Sequence, residues 1–369
     1  LSTSPDETNT SVDWSSCHPM LRDYSYVNID SSNVTPSYMC HLEYFGACKA
    51  VCMTEIRKDA RIYVAGHRGL VGSAVVRRLT QDGYTNILTA TRDEVDLRNQ
   101  QQVDTWFSEN KPQYVFLVAG TVGGIWANSQ RPGEFLYDNM MIHATVVHSS
   151  YVHNVTKLVY LGSSCIYPRL ATQPMTESEL LTGPLEPTNE PYAIAKIAGI
   201  KLCQAYAKQY GCNFVSGMPT NMYGPNDNFD LESSHVLPAL MRKFHEAKLN
   251  GTGFIDVWGT GSAKREFLHA DDLADACLFM LRDYHDLEHI NIGTGIEVSI
   301  KELAETLREV IYPEAELRWD TSKPDGAPRK LLDVTKIEAA GWTHSISLRD
   351  GIESTYKWFM DHYEHVRGR

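Results

Sequence analysis

No apolar run in this 369-residue chain approaches the roughly 20 residues that a membrane-spanning helix needs, so no membrane partner is expected. Positive charge is in short supply. Against 46 Asp and Glu stand only 34 Lys and Arg, a net charge of −12, which speaks against nucleic-acid binding. An anionic substrate would need a local basic pocket, for which Arg242-Lys243, Lys264-Arg265, Lys323 and Arg329-Lys330 are candidates. Cysteine is sparse as well; eight in a chain of this length build no disulfide scaffold. The first residues are polar and acidic, unlike the basic start and apolar centre of a secretory leader. Thiols and opening segment together point to a reducing, cytoplasmic setting. Internal repeats are lacking too, which excludes a solenoid.

Residues 1–58 read differently from the rest. Up to about Pro36 they are rich in Ser, Thr, Asn and Asp with little periodicity, the mark of a disordered or loosely packed extension. Apolar and small residues return from Tyr38 to Met53, enough for a short helix. Cys17-His18, Cys40-His41, Cys48 and Cys52 match no familiar zinc spacing, and no metal site is expected.

From residue 59 the pattern becomes ordered. Arg61 to Ala65 is a short apolar strand, followed at once by Gly66-x-x-Gly69-x-x-Gly72. Leu70 and Val71 then open a helix whose apolar positions continue at Ala74, Val75 and Leu79. Glycines between a strand and a helix let the backbone turn tightly and approach a pyrophosphate at the positive helix N-terminus. Further strands at Asn86 to Ala90 and Tyr114 to Val118 flank a helix over about 100–109. The alternation predicts an α/β fold, a Rossmann-type doubly wound parallel sheet. Past the second strand, a carboxylate would suit the ribose hydroxyl of NAD and an Arg the 2′-phosphate of NADP. Arg92, with Arg68 inside the glycine loop, favours NADP(H), although Asp93 keeps NAD open. Asp96-Leu97 falls where a third strand would end and an adenine would lie. Ala119-Gly120, beyond the Tyr114 strand, has the small side chains that let a nicotinamide or sugar approach the backbone.

A second constellation lies at residues 162–196. Ser163 ends an apolar strand (Lys157 to Leu161), and Tyr192-x-x-x-Lys196 puts a phenol and an ammonium on one helix face. A cation beside a phenol lowers its pKa, making it a usable proton donor near neutrality. Alone, either pattern is weak; a triad Ser upstream and a nucleotide loop in the same domain make coincidence improbable. Pro219 and Asn221 then enter a Pro/Gly-punctuated segment, a natural domain joint. The expected division is therefore 1–58 extension, 59–226 NADP-binding Rossmann domain, and 227–369 a smaller mixed α/β substrate domain with some segments returning to the sheet. Within the last, a helix is predicted over His235 to Lys248 and a strand over Phe254 to Trp258. Asp271-Asp272 suit a helix start, and Ser299 with Glu302 forms a capping box.

Taken together, these motifs resemble the nucleotide-sugar branch of the extended short-chain dehydrogenase/reductases, and within it the GDP-L-fucose synthase family. The resemblance spans roughly residues 60–365. It rests on Ala65 to Gly72, Gly162 to Pro168, Leu185 to Gly199, Pro219 to Phe229 and Lys323 to Asp333. It implies a GDP-4-keto-6-deoxy-D-mannose 3,5-epimerase/4-reductase that uses NADPH, gives GDP-L-fucose and forms a homodimer. By the family pattern, Cys165 and His235 are base and acid of the epimerisations, while Ser163, Tyr192 and Lys196 are the reductase triad. The resemblance further implies that Asn221, Val236, Lys243, Trp258, Arg265 and Lys323 lie at the GDP-sugar. The residues agree: thiol and imidazole both exchange protons near neutral pH, and Cys165 is two residues from the triad Ser. Two rival readings are a 4-epimerase that retains NAD and a non-catalytic dinucleotide-binding regulator.

Overall fold

The computed structural model describes residues 55–323, 325–366 and 368. Most of the expected extension, with its helix and the four cysteines before residue 60, lies outside the described residues. Order is already established at Ile56, whose side chain is buried in the core.

The main sheet starts from β1 (Ile62–Ala65), buried at every position, as expected of a strand covered on both faces. Helix α1 (Leu70–Gln81) carries the chain to the two-residue β2 (Ile87–Leu88). Next come α2 (Gln100–Asn110), β3 (Tyr114–Leu117), α3 (Ile125–Gln130), α4 (Pro132–Val152) and β4 (Lys157–Leu161). Then α5 (Glu190–Tyr210), β5 (Phe214–Pro219) and β6 (Asn221–Tyr223) complete the first part. The sheet runs β2-β1-β3-β4-β5 and all its pairings are parallel. Strand order reverses between β1 and β3, which opens a crevice at their carboxyl ends. Here β2 is shorter than the sequence suggests. It is an edge strand, and Thr91 to Glu94 close instead into a turn in which the Thr91 N–H donates to the Glu94 carboxylate (2.6 Å). No strand forms at Asp96-Leu97, which lie in the loop before α2.

The remaining elements are α6 (Val236–Asn250), β7 (Phe254–Trp258), β8 (Lys264–His269), α7 (Ala270–Asp283), β9 (Ile290–Ile292) and β10 (Glu297–Ser299). They continue with α8 (Ile300–Ile311), β11 (Glu316–Asp320), β12 (Arg329–Lys330), α9 (Thr335–Ala339) and α10 (Leu348–His362). Strand β9 adds to β5 as the sixth parallel strand, and α7 packs on α1 beneath the main sheet. Around β8, β10 pairs antiparallel, whereas β6 and β12 pair parallel; β7 and β11 form their own parallel pair. A second core of Phe229, Phe244, Leu303 and Phe359 fills the space between these strands and α6, α8 and α10. The capping box of Ser299 and Glu302 is present at α8. At α7, Asp271 and Asp272 stand in the first turn as expected, and the cap is the His269 ring, whose Nδ1 accepts the Asp271 N–H (3.2 Å). Among the described residues, no helix is long and apolar enough to cross a membrane.

Candidate active site

The dinucleotide cradle is built at the β1/β3 crevice. Gly66 has φ +98°, and a Cβ there would stand 2.8 Å from both N and Cα of Ala119, so only glycine lets the two strand ends close up. A Cβ on Gly72 would fall onto the Gly66 carbonyl. Gly69, by contrast, has an ordinary φ of −79° and room for a side chain, so its own backbone does not demand glycine. It caps α1 without a side-chain hydrogen bond, and the first turn of α1 carries no acidic residue. The N-terminal N–H groups therefore stay free for a pyrophosphate, with Leu70 and Val71 half-buried behind them. Exposed Arg68 sits in the field of Glu94, the residue that closes the turn after β2. Arg92 belongs to the same turn, its Nε 4.0 Å from the Asp96 carboxylate. A crowded glycine turn, an uncapped helix start and two guanidinium groups fit NADP(H).

The adenine end differs from expectation. The Asp96 carboxylate is bound by Arg98, whose Nη2 donates across 2.7 Å and whose N–H donates across 3.0 Å. That pairing holds Asp96 down at about 2. Arg98 also donates to Asp138 of α4 (3.0 Å), and Asp138 accepts from the Thr121 hydroxyl (3.1 Å). Leu97 packs against the core, its carbonyl accepting from Thr145. Asp96 therefore anchors this loop to the segment beyond β3, a role its sequence context did not reveal.

Beyond β3, Ala119 and Gly120 lead into a loop clamped by buried Asn139. Its Oδ1 accepts the Thr121 N–H (3.1 Å) and its Nδ2 donates to the Thr121 carbonyl (2.9 Å). A Cβ on Gly120 would stand 2.8 Å from Asn139 Oδ1 and 3.7 Å from Lys196 Nζ, so this loop borders the triad. A cavity of about 410 Å³ opens beside it, lined by Gly120, Val122, Phe135, Asp230 and Ser233 among others.

The triad assembles at the end of β4. The Ser163 hydroxyl favours the charged form of both Cys165 and Tyr192, and those two pack with Phe135 in one small buried cluster. Burial pushes the Tyr192 phenol up, the Cys165 charge adds to that, and Ser163 draws it back. The ammonium of Lys196 lies 5.8 Å from the Tyr192 ring centre and donates to the Leu161 carbonyl (2.9 Å). Burial lowers Lys196 itself to about 8. The Cys165 thiol is likewise raised by burial, opposed first by Lys330, then by Ser163 and Lys196.

His235 is the N-cap residue of α6 rather than its first helical residue. The Gly124 N–H donates to the Ser233 carbonyl (2.9 Å), which ties the chain just before His235 to the loop beyond β3. The imidazole is open to water inside the cleft, yet enclosed enough that burial lowers its pKa, with Lys330 adding to the effect. Lys330 of β12 therefore acts electrostatically on both Cys165 and His235. The sequence marked it only as part of Arg329-Lys330, one of several candidate basic pockets for an anionic substrate.

Pro219 ends β5, and Asn221 just after it donates from Nδ2 to the Glu266 carbonyl (2.8 Å). Val236 opens α6. Further out, the exposed Trp258 ring is flanked by two ammonium groups, Lys243 at 5.2 Å and Lys323 at 5.4 Å from its centre. Lys243 also donates to the Asp256 carbonyl (3.0 Å), and Arg265 is lowered by burial, with Asp325 opposing. An aromatic face between cations suits a base and its phosphates. Among the described residues, no group of His, Cys, Asp or Glu could hold a metal ion.

Residues 62–293 match the NAD dependent epimerase/dehydratase family. GDP-L-fucose synthase 1 of Arabidopsis thaliana is 60% identical over 82% of this chain and 94% of its own length. The GDP-L-fucose synthase of Escherichia coli is 50% identical over 84% of this chain and 99% of its own. Among solved structures, a GDP-L-fucose synthetase of Naegleria fowleri bound to NADP superposes with a TM-score of 0.80 at 31% identity, covering 85% of this chain and 96% of that one. The chain belongs to the NAD dependent epimerase/dehydratase family and, within it, to the GDP-L-fucose synthases.

Proposed function

We propose that this chain converts GDP-4-keto-6-deoxy-D-mannose to GDP-L-fucose, by epimerisation at C3 and C5 followed by NADPH-dependent reduction at C4. The observation that carries this reading is that Cys165 and Tyr192, a thiol and a phenol, pack in one small buried cluster at the end of β4, with the Ser163 hydroxyl acting on both. One substrate ketone facing Ser163 would have a proton-exchanging group and a proton donor within reach, and two half-reactions need both.

The C4 ketone makes the protons at C3 and C5 acidic. Cys165, as thiolate, takes each proton, and the electron pair moves into the carbonyl as an enolate. The cations around Cys165, Lys330 and Lys196, favour the charged thiolate that burial alone would disfavour. His235, from the other wall of the cleft, returns a proton to the opposite face. The Gly66 to Gly72 turn, Arg68, Arg92 and Lys196 would hold NADPH, which would supply the hydride equivalent when bound. Tyr192 gives its proton to the C4 oxygen as that oxygen gains charge, and Ser163 polarises the ketone. A buried, high-pKa phenol stays protonated until that charge develops, which suits a general acid.

The nucleotide would lie along Asn221, Val236, Lys243, Trp258, Arg265 and Lys323. We also propose a homodimer through α4 and α5, whose surfaces expose Tyr137, Met140, Ile194 and Tyr210. A catalytic thiol favours a reducing, cytoplasmic compartment, and Cys165, Cys203, Cys212 and Cys277 are all free.

The test is NADPH oxidation on adding GDP-4-keto-6-deoxymannose in D2O, with the product sugar analysed. Oxidation with deuterium at C3 and C5 of fucose supports the reading. Exchange without oxidation would reduce the protein to an epimerase, and tightly held NAD without net oxidation would mark a 4-epimerase.

A further inference from the structure

Behind the triad, on the side away from the cleft, lies a buried pair that the reaction above does not use. Tyr160 of β4 is 0% exposed, and its hydroxyl donates to the Lys196 carbonyl (3.3 Å). His143 of α4 is 2% exposed; its Nδ1 is 3.2 Å from the Ala195 carbonyl and 3.3 Å from the Tyr160 hydroxyl. The two rings meet edge to face, with centres 4.9 Å apart. The Lys196 ammonium lies over the Tyr160 ring, 5.4 Å from its centre. Helix α5 yields to this arrangement one turn later: Gly199 is where any Cβ would overlap the Tyr160 hydroxyl.

We infer that Tyr160 and His143 are positioning residues for the reductive step, which fix the triad lysine from both ends. The backbone end is pinned through two successive carbonyls, Ala195 and Lys196. The charged end rests on the ring face, an attraction that strengthens in a dry environment. Burial holds His143 neutral, with Lys196 adding to that effect, so its Nδ1–H donates to a carbonyl and it brings no second charge beside the ammonium. Hydrogen bonds to carbonyls in mid-helix are a costly use of two buried polar side chains. Ordinary packing would place Phe at 160 and Leu at 143, so the polar groups point to a placement requirement at Lys196.

The inference rests on the proposed function, and one experiment separates the two. Tyr160→Phe keeps the ring and loses the tether; Tyr160→Leu loses both. Each variant is assayed for NADPH oxidation and, separately, for solvent deuterium uptake at C3 and C5, which depends on Cys165 and His235. The expected result is a graded loss of reduction, several-fold for Tyr160→Phe and roughly 100-fold for Tyr160→Leu, with proton exchange within about twofold of wild type. Exchange and reduction falling in parallel in Tyr160→Phe would reveal only a packing role and overturn the inference. So would full reduction in Tyr160→Leu. If Tyr160→Leu fails to fold, Tyr160→Phe decides alone: reduction unchanged there sinks the inference. A wild-type protein with neither activity would overturn the functional reading itself.

Discussion

Gly66 and Ala119 meet backbone to side-chain position across the crevice between β1 and β3, with 2.8 Å separating a Cβ at Gly66 from the Ala119 N and Cα. Gly66 also holds φ +98°, outside the range that L-residues favour. Gly66→Ala therefore suffers twice, from strain and from forcing the strand ends apart. The expected loss is about 2 kcal/mol of stability, together with weaker NADPH binding because the turn opens. Thermal unfolding with and without NADPH measures both. An alanine variant with unchanged melting and unchanged ligand-induced shift would show that the crevice tolerates a wider turn.

Glu266 of β8 is a fully buried carboxylate with both oxygens committed. Oε1 accepts the Thr294 N–H (2.6 Å) and Gly295 N–H (2.8 Å), and Oε2 accepts the Leu332 N–H (3.1 Å). It thereby joins the residues following β9 to Leu332, just after β12 and two residues from Lys330. Glu266→Gln must turn an NH2 group toward a backbone N–H whichever way the amide is flipped. The expected cost is about 2–4 kcal/mol, from a lost charge-assisted bond and a donor left facing a donor. The denaturation midpoint reports it. A glutamine variant as stable as wild type would mean that these loops re-form around a different acceptor.

Lys196 makes stability depend on pH in a defined window. Its pKa falls to about 8 on folding, from the ordinary 10.5. Between those values the unfolded chain keeps a proton that the folded protein has shed, so the Lys196 contribution to stability rises with pH there. Below 8 the burial penalty is present in full. Lys196→Met should accordingly be most favoured relative to wild type near pH 7, and that relative advantage should shrink toward pH 10. Lys157, also lowered to about 8, is common to both proteins and cancels. Denaturant unfolding of the two at matched pH gives the difference; one that stays constant from pH 7 to 10 would refute the shift.

Much of this was legible in the chain because the informative segments are local. A strand, three glycines and a helix start identify β1 to α1 without reference to anything distant, and β4 with Ser163 reads equally well. Long-range features were hidden. Helix α4 packs against α5, α2 and β3 and buries residues on several faces, so it carries no clean amphipathic period. Its Asn139, which clamps Thr121, looks like any helical asparagine. The pairings of β6, β10 and β12 with β8 depend on partners 30 to 65 residues away, and two- or three-residue strands leave no alternation to detect. For the same reason Lys330 emerged as a neighbour of Cys165 and His235 only from the fold. Nothing in sequence reveals that the Asp96 carboxylate is paired with Arg98, two residues on, and through it with Asp138 of α4.

The two halves of the reaction should separate by mutation, since they use different side chains that share Ser163. Cys165→Ser keeps a hydroxyl at the site, but one far too weakly acidic to serve as the base. Deuterium uptake at C3 and C5 should fall by more than about 100-fold, and GDP-fucose formation should go with it, because the reductive step then lacks its epimerised ketone. NADPH binding should be intact, since Cys165 is remote from the Gly66 to Gly72 turn in the chain and is not placed among the cofactor-holding groups. Tyr192→Phe should do the reverse: exchange persists while NADPH oxidation falls by about 100-fold or more, as the C4 oxygen loses its proton donor. Deuterium uptake followed by mass spectrometry and NADPH absorbance resolve the two readouts on the same samples. Equal loss of both in Tyr192→Phe would make the phenol a structural support for Ser163. GDP-fucose formed at the wild-type rate by Cys165→Ser would remove the thiol from the mechanism.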